Sequence, residues 1–231
     1  MSTISTNLQA IQRHISEMAQ KASRSPASVN LLAVSKTCPA HAIIEAARAG
    51  QHAFGENYEK EAVQKIRQIQ EMAPELQLEW HFVGPVQSNK TRGIATHFDW
   101  VHSVDRERIA RRLSEQRPDT LAPLNICLQV YISNEDTKSG IEEEAVFELA
   151  GIVSTLPHLK LRGLMAIPEP ESDPEKQHAP FRRLKNLYDQ LRAKGYDLDT
   201  LSMGMTADMD AAIAEGATIV RIGTAIFGDR N

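Results

Sequence analysis

Lys36 follows the apolar run 31–35 (LLAVS) with no residue between. If that run is a core strand, the amine stands at its mouth, where partial desolvation frees the nitrogen lone pair. That is the position for a lysine that forms a Schiff base with a carbonyl group. A lysine that simply reaches water from a strand end has the same sequence. A second set of polar groups lies in 202–206 (SMGMT) and 223–228 (GTAIFG). There Gly204 and Gly223 admit close backbone approach, and the hydroxyls of Ser202, Thr206 and Thr224 can bond phosphate oxygens. Ordinary turn chemistry also accounts for glycine and serine at such places. Arg221 lies inside the apolar run 218–222 (TIVRI), where a guanidinium without a partner is costly. Its acceptor is either a buried carboxylate, with Asp99, Asp208 and Asp210 as candidates, or the ring nitrogen of a bound heterocycle. Spacing does not choose between them.

Other residues carry weaker signals. His97 and His102 flank Asp99 and Trp100, but no third ligand stands at a zinc-like spacing, so no metal site is expected. His81, beside Trp80, either contacts a ligand or is a hydrogen-bonded core histidine. Cys38 would be reactive only with a stabilised thiolate. Met203 and Met205 read as packing residues around a loop.

These residues need elements to position them. From Asn30 onward eight short apolar runs alternate with stretches of helical periodicity: 31–35, 52–55, 78–83, 100–104, 125–133, 161–167, 200–203 and 218–222. Helices are expected over 40–49, 59–72, 106–116, 142–156, 175–194 and 208–215. Ser139 with Glu142, and Ser172 with Glu175, have capping-box spacing, Pro174 suits a first helical turn, and Gly50 and Gly195 suit C-terminal caps. Leu8, Ile11, Ile15 and Met18 form one stripe of an amphipathic helix ending near Arg24-Ser25-Pro26. Alternating strand and helix implies a parallel sheet covered by helices, and eight cycles close a single (β/α)8 TIM barrel over 1–231, with the extra N-terminal helix of 1–25 packed on it. An open doubly wound sheet is the alternative, but no G-x-G-x-x-G follows the first run. In a barrel the site lies at the C-terminal strand ends, and the loops after the last two strands often hold phosphate. Lys36, the two glycine loops and Arg221 all fall there.

The 231 residues carry 26 Lys+Arg against 30 Asp+Glu, a formal charge of −4, which offers no basic excess for nucleic acid. Two cysteines, Cys38 and Cys127, argue for a reducing compartment. Charged residues interrupt the apolar start, and no run of eighteen apolar residues occurs, so neither a signal peptide nor a membrane span is expected. A cytoplasmic monomer is the expectation.

A lysine after the first strand, a phosphate cradle after the last two and an arginine on the eighth together suggest pyridoxal phosphate in a barrel. The segments LLAVSKT (31–37), FGENY (54–58), WHFVGPVQSNK (80–90), KSGI (138–141), LRGLMAIP (161–168), LSMGMTADMDAAIAEG (201–216) and VRIGTAIFG (220–228) closely resemble the pyridoxal phosphate homeostasis protein family, which shares the barrel of the alanine racemase N-terminal domain. The resemblance implies a covalent aldimine of pyridoxal 5'-phosphate at Lys36, Arg221 facing the pyridine nitrogen, and Ser202, Gly204, Gly223 and Thr224 around the phosphate. Asn57 and Met165 would line the ring. Thr206 stands where the family more usually has serine and keeps the hydroxyl.

An arginine cannot accept a proton, so it leaves the ring nitrogen unprotonated and the ring a weak electron sink. Strong carbanion chemistry is therefore disfavoured, and the role that the resemblance implies is that of a carrier in vitamin B6 and linked amino-acid homeostasis, with recipient apo-enzymes as the expected partners. A racemase-like amino-acid enzyme is the alternative, and a phosphate-sugar barrel enzyme using Lys36 without cofactor is a third. The domain and partner subunit that supply the second base in alanine racemases are not expected here, since the sequence stops soon after the eighth run; Tyr58 is the one tyrosine near enough to stand in. Lys90 and Lys138 are secondary candidates for aldehyde capture.

Overall fold

A computed structural model describes residues 3–132 and 140–228. Eight parallel strands close a barrel in sequence order: β1 (Asn30–Val34), β2 (Ala53–Glu56), β3 (Glu79–Phe82), β4 (Trp100–Val104), β5 (Leu124–Gln129), β6 (Leu159–Met165), β7 (Thr200–Ser202) and β8 (Ile219–Ile222), which pairs back onto β1. The expected (β/α)8 barrel is the fold observed. Around it lie α2 (Ala40–Arg48), α3 (Glu59–Met72), α4 (Thr91–His97), α5 (Glu107–Gln116), α6 (Val146–Thr155), α7 (Pro174–Ala193), α8 (Met209–Ala214) and the single turn α9 (Thr224–Phe227), preceded by α1 (Thr3–Lys21).

The period-2 alternation of each strand divides the apolar residues into two sets. Ala33, Val220 and Ile222 belong to the large core shared by the sheet and the helices. Leu32, Val83 and Ile219 form a separate cluster, as do Trp100, Cys127 and Met165, and these fill the barrel interior. Helix α1 buries Leu8 and Ile15 from the expected stripe, while Ile11 and Met18 are partly buried against the same core. Arg24 then ties the chain to the barrel by donating to the carbonyls of Ile213 at 2.6 Å and Ala217 at 2.7 Å.

Several boundaries differ from the expectation for local reasons. The cap of α7 is Asp173, whose carboxylate accepts the Glu175 N–H, and not Ser172; Pro174 does open the helix. Helix α6 begins at Val146 after a 3-10 turn at Glu143–Ala145, so Glu142 does not complete a capping box, and Ser139 is outside the described residues. The fifth strand stops at Gln129 and the sixth at Met165, before the ends of the runs expected at 125–133 and 161–167; Ser133 and Asn134 also lie outside the described residues. Gly50 and Gly195 take the left-handed conformation after α2 and α7, as expected of caps. Helix α4 is missed by sequence reading because Thr91, Gly93 and Thr96 are poor helix formers. The Glu59 carboxylate occupies the space beside Gly93, 2.0 Å from where a Cβ would lie.

Candidate cofactor site

Lys36 stands two residues past Val34, at the tip of a turn closed by the Cys38 N–H on the Ser35 carbonyl at 3.0 Å. The next residue, Thr37, has φ +62°, a left-handed conformation that a β-branched residue adopts only under constraint. The constraint comes from α3. Glu61 accepts the Thr37 N–H at 2.6 Å, and the Lys65 ammonium donates to the Ser35 carbonyl at 2.8 Å. Lys65 also pairs with Glu56 at 2.6 Å and Glu61 at 2.8 Å, and the Ser35 hydroxyl donates to Glu56 at 2.7 Å. Glu56 is fully buried, and burial raises its carboxyl above the usual range while Lys65 pulls the other way. The lysine-bearing turn is thus bolted to the barrel by a buried ionic cluster. The Lys36 side chain itself is half-buried and has no hydrogen-bond or ion-pair partner among the described residues.

Arg221 pairs in register with Leu32 on β1 and lies two residues beyond Ile219, so it faces the barrel interior. Lys36 lies just beyond the end of β1, in the turn that follows it. The guanidinium is 5% exposed. Its Nη1 donates to the Ser202 carbonyl at 2.6 Å and the Ser202 hydroxyl at 2.9 Å, and its Nη2 to the Ala166 carbonyl at 2.9 Å. None of the carboxylates considered from sequence is in contact: Asp99 accepts the Trp80 N–H, Asp210 meets His14, and Asp208 acts on Arg221 only through its field. Burial pushes the Arg221 pKa down to about 10. Of the five N–H donors of a guanidinium, the Nε–H and one Nη2–H are left without a protein acceptor among the described residues.

The other expected residues fall around this pair. Asn57 follows β2 and its Oδ1 is buried without a hydrogen-bond partner. Its backbone sits against Gly84, where any Cβ would lie 2.3 Å from the Asn57 carbonyl oxygen. Gly204, with φ +94°, turns the chain out of β7, and a Cβ there would lie 2.5 Å from that of Ala212. The turn beyond is closed by Asp208, whose carboxylate accepts the Met205 N–H at 2.6 Å. Thr206 at its tip and Thr224 in the first turn of α9 are both exposed, with Gly223 just before the latter. Ser202 and Met165 are fully buried. The Ser202 hydroxyl is fully buried on Arg221 and on His102 Nδ1 at 2.7 Å, and Met165 is buried against Trp100 and Cys127 beneath the mouth.

An amine, two guanidinium donors and two threonine hydroxyls with no partner among the described residues, an orphaned amide oxygen and glycine-lined loops fit a phosphorylated heterocyclic aldehyde. No three His, Cys, Asp or Glu side chains among the described residues are grouped to hold a metal. His97 bonds the Gly93 carbonyl on its own helix, apart from His102. Lys90 pairs with Glu59 at 3.6 Å, and Lys138 is outside the described residues. Sequence reasoning missed the Glu56–Lys65–Glu61 cluster, of which only the i, i+4 spacing of Glu61 and Lys65 is visible locally. A cavity of about 700 Å³ opens at the opposite, N-terminal end of the barrel beside Glu79, His81 and Arg162, away from these residues.

The family described as "Alanine racemase, N-terminal domain" matches residues 6–231. A "Pyridoxal phosphate homeostasis protein" of Vibrio cholerae is 56% identical over 231 residues, covering 100% of this chain and 98% of the relative. One of Pseudomonas aeruginosa is 58% identical, covering 100% and 97%. The PipY protein of Synechococcus elongatus, solved with PLP bound, superposes with a TM-score of 0.83 at 36% identity, over 97% of this chain and 100% of that one. An alanine racemase of Clostridium difficile shares the fold alone, with a TM-score of 0.71 at 14% identity, over 100% of this chain and 57% of that one. By full-length identity and by fold, the chain belongs to the pyridoxal phosphate homeostasis protein family, on the barrel of the alanine racemase N-terminal domain.

Proposed function

We propose that this protein holds pyridoxal 5'-phosphate covalently on Lys36 and acts as a cytoplasmic, monomeric carrier in vitamin B6 and linked amino-acid homeostasis, passing the cofactor to recipient apo-enzymes with negligible turnover of its own. The observation that carries the reading is a Lys36 amine with no partner among the described residues, together with a buried Arg221 that keeps two N–H groups without an acceptor among them. The names of the curated relatives and the PLP held by PipY support it.

When bound, pyridoxal phosphate supplies an aldehyde, an electron-withdrawing ring and a phosphate dianion. Lys36 offers the nucleophile, with its turn held by Glu61 and Lys65. Arg221 directs a permanent donor at the ring nitrogen and so disfavours a proton there. Asn57 brings an unspent amide oxygen to the ring edge. Thr206 and Thr224 offer hydroxyls, and Gly204 and Gly223 close backbone, to the phosphate. Ser202 serves through Arg221, because its hydroxyl is already committed, and Met165 forms part of the floor. Tyr58, beside Asn57, is 56% exposed, a poor setting for a base that must exclude water.

Titration of the purified protein with pyridoxal phosphate, followed by solvent-deuterium exchange at the α-carbon of a panel of amino acids, tests the reading. The carrier account expects a yellow complex and no exchange above the free cofactor. Rapid exchange that requires Lys36 and Tyr58 would make the protein a racemase-like enzyme; a colourless protein reacting with phospho-sugars would make it a cofactor-free Schiff-base enzyme.

A further inference from the structure

We propose that Glu79 and His81, at the opposite end of the barrel from Lys36, are positioning residues for Arg221, acting through one directed line of hydrogen bonds that crosses the barrel interior. The proposal rests on Arg221 being the group turned to the cofactor ring. Glu79 Oε1 lies 2.7 Å from His81 Nε2, His81 Nδ1 lies 2.8 Å from His102 Nε2, and His102 Nδ1 lies 2.7 Å from the Ser202 hydroxyl, which meets Arg221 Nη1 at 2.9 Å. Four strands contribute, β3, β4, β7 and β8, and His81, His102 and Ser202 are each at most 2% exposed.

The chemistry of the ends sets the direction. An ionised carboxylate only accepts, so His81 donates through Nε2–H. With a single ring proton, His81 accepts at Nδ1, which requires a proton on His102 Nε2. Full burial, with Arg221 nearby, holds His102 neutral, so its Nδ1 accepts in turn. The Ser202 hydroxyl must then donate to His102, which leaves its lone pairs to Arg221. Every link between β3 and the guanidinium follows from the group at the far end. A second proton on His81 would reverse the two inner links: His102 would carry its proton on Nδ1, and Ser202 would accept from both His102 and Arg221.

The far end is accessible. Glu79 is half-exposed, and with His81, Trp100 and Arg162 it lines the cavity of about 700 Å³. The charged groups facing it are Arg162, whose guanidinium lies 4.5 Å from the Trp100 ring centroid, its partner Asp199, and Asp99. Trp100 stacks on His81 with centroids 5.2 Å apart, which fixes the imidazole plane. The interior of this barrel therefore carries a polar line where a purely apolar filling would suffice for stability.

The test is nitrogen NMR of the full-length, cofactor-free protein with labelled histidine and arginine. The proposal expects both His81 and His102 as neutral Nε2–H tautomers, and expects Glu79→Gln to shift the resonances of His102 and Arg221, neither of which contacts residue 79. In the loaded protein the same variant should shift the absorbance band and its pH dependence while leaving adduct stoichiometry by mass spectrometry unchanged; Glu79→Asp should restore the wild-type pattern. A His102 protonated on Nδ1 in the wild type, or Arg221 resonances indifferent to Glu79→Gln, would overturn the proposal. Absence of any adduct on Lys36, with the NMR pattern as expected, would count against the carrier reading and leave the line of bonds standing.

Discussion

Ser202 gives both of its oxygens to Arg221, the carbonyl at 2.6 Å and the hydroxyl at 2.9 Å. A buried guanidinium is thereby kept charged by neutral acceptors, and its remaining donors stay available to a ligand. Replacing Ser202 by alanine removes one of these bonds and the link to His102. Hydrogen bonds to charged groups contribute about 1.5–3 kcal/mol, so urea unfolding of Ser202→Ala should show a loss in that range. An unchanged midpoint would mean that the hydroxyl contributes nothing to holding Arg221.

Lys65 is the hinge of the cluster beneath Lys36, and its removal leaves Glu56 buried without its counter-charge. Breaking a buried pair from one side costs about 3–5 kcal/mol, which is the loss expected for Lys65→Met. The pH dependence has a definite sign. Burial raises Glu56 above its ordinary 4.5, so its contribution to stability is full below that value and is lost as the pH rises through the raised one. Without Lys65 the carboxyl rises further, and the variant's deficit should be largest at neutral and alkaline pH and shrink on acidification. A deficit independent of pH would place the cost elsewhere.

Gly84→Ala inserts a Cβ only 2.3 Å from the Asn57 carbonyl oxygen, so one of the two segments has to move. Overpacking of this kind typically costs about 1–3 kcal/mol. Because Asn57 carries the orphaned amide oxygen, pyridoxal phosphate affinity should fall together with stability, measured by titration and by thermal unfolding. A variant of full stability with reduced affinity, or the reverse, would separate the two roles given to this contact.

Cys127 is fully buried in the barrel interior, and burial pushes its thiol pKa up, far from the thiolate form. Native protein should leave Cys127 unlabelled by iodoacetamide and release it to the reagent only on unfolding, as followed by peptide mass spectrometry. Labelling at the rate of a free thiol in the folded state would contradict the packing around Trp100 and Met165.

The barrel is legible in the sequence because each β-run is short, apolar and followed by helical spacing, and because Lys36 and the last two loops sit where such a barrel puts its chemistry. What escapes is set by contacts between distant residues. Ser202 reads as a phosphate ligand from its loop, but His102, a hundred positions away, claims its hydroxyl. Arg221 reads as needing either a carboxylate or a heterocycle's ring nitrogen; its protein partners are the carbonyls of Ala166 and Ser202 with the Ser202 hydroxyl, and carbonyls leave no mark in a sequence. Glu56 and Lys65 sit on separate elements whose approach only the closed barrel determines. Helix α4 is hidden because Thr91, Gly93 and Thr96 lower its helix propensity.

The central claim is that Lys36 carries the cofactor. Borohydride reduction of the protein with pyridoxal phosphate, followed by peptide mass spectrometry, tests it most directly. The account predicts one pyridoxyl group per chain, on the peptide containing Lys36, and its loss in Lys36→Ala. A pyridoxyl group found mainly on Lys90 or Lys138, or unchanged labelling in Lys36→Ala, would contradict it.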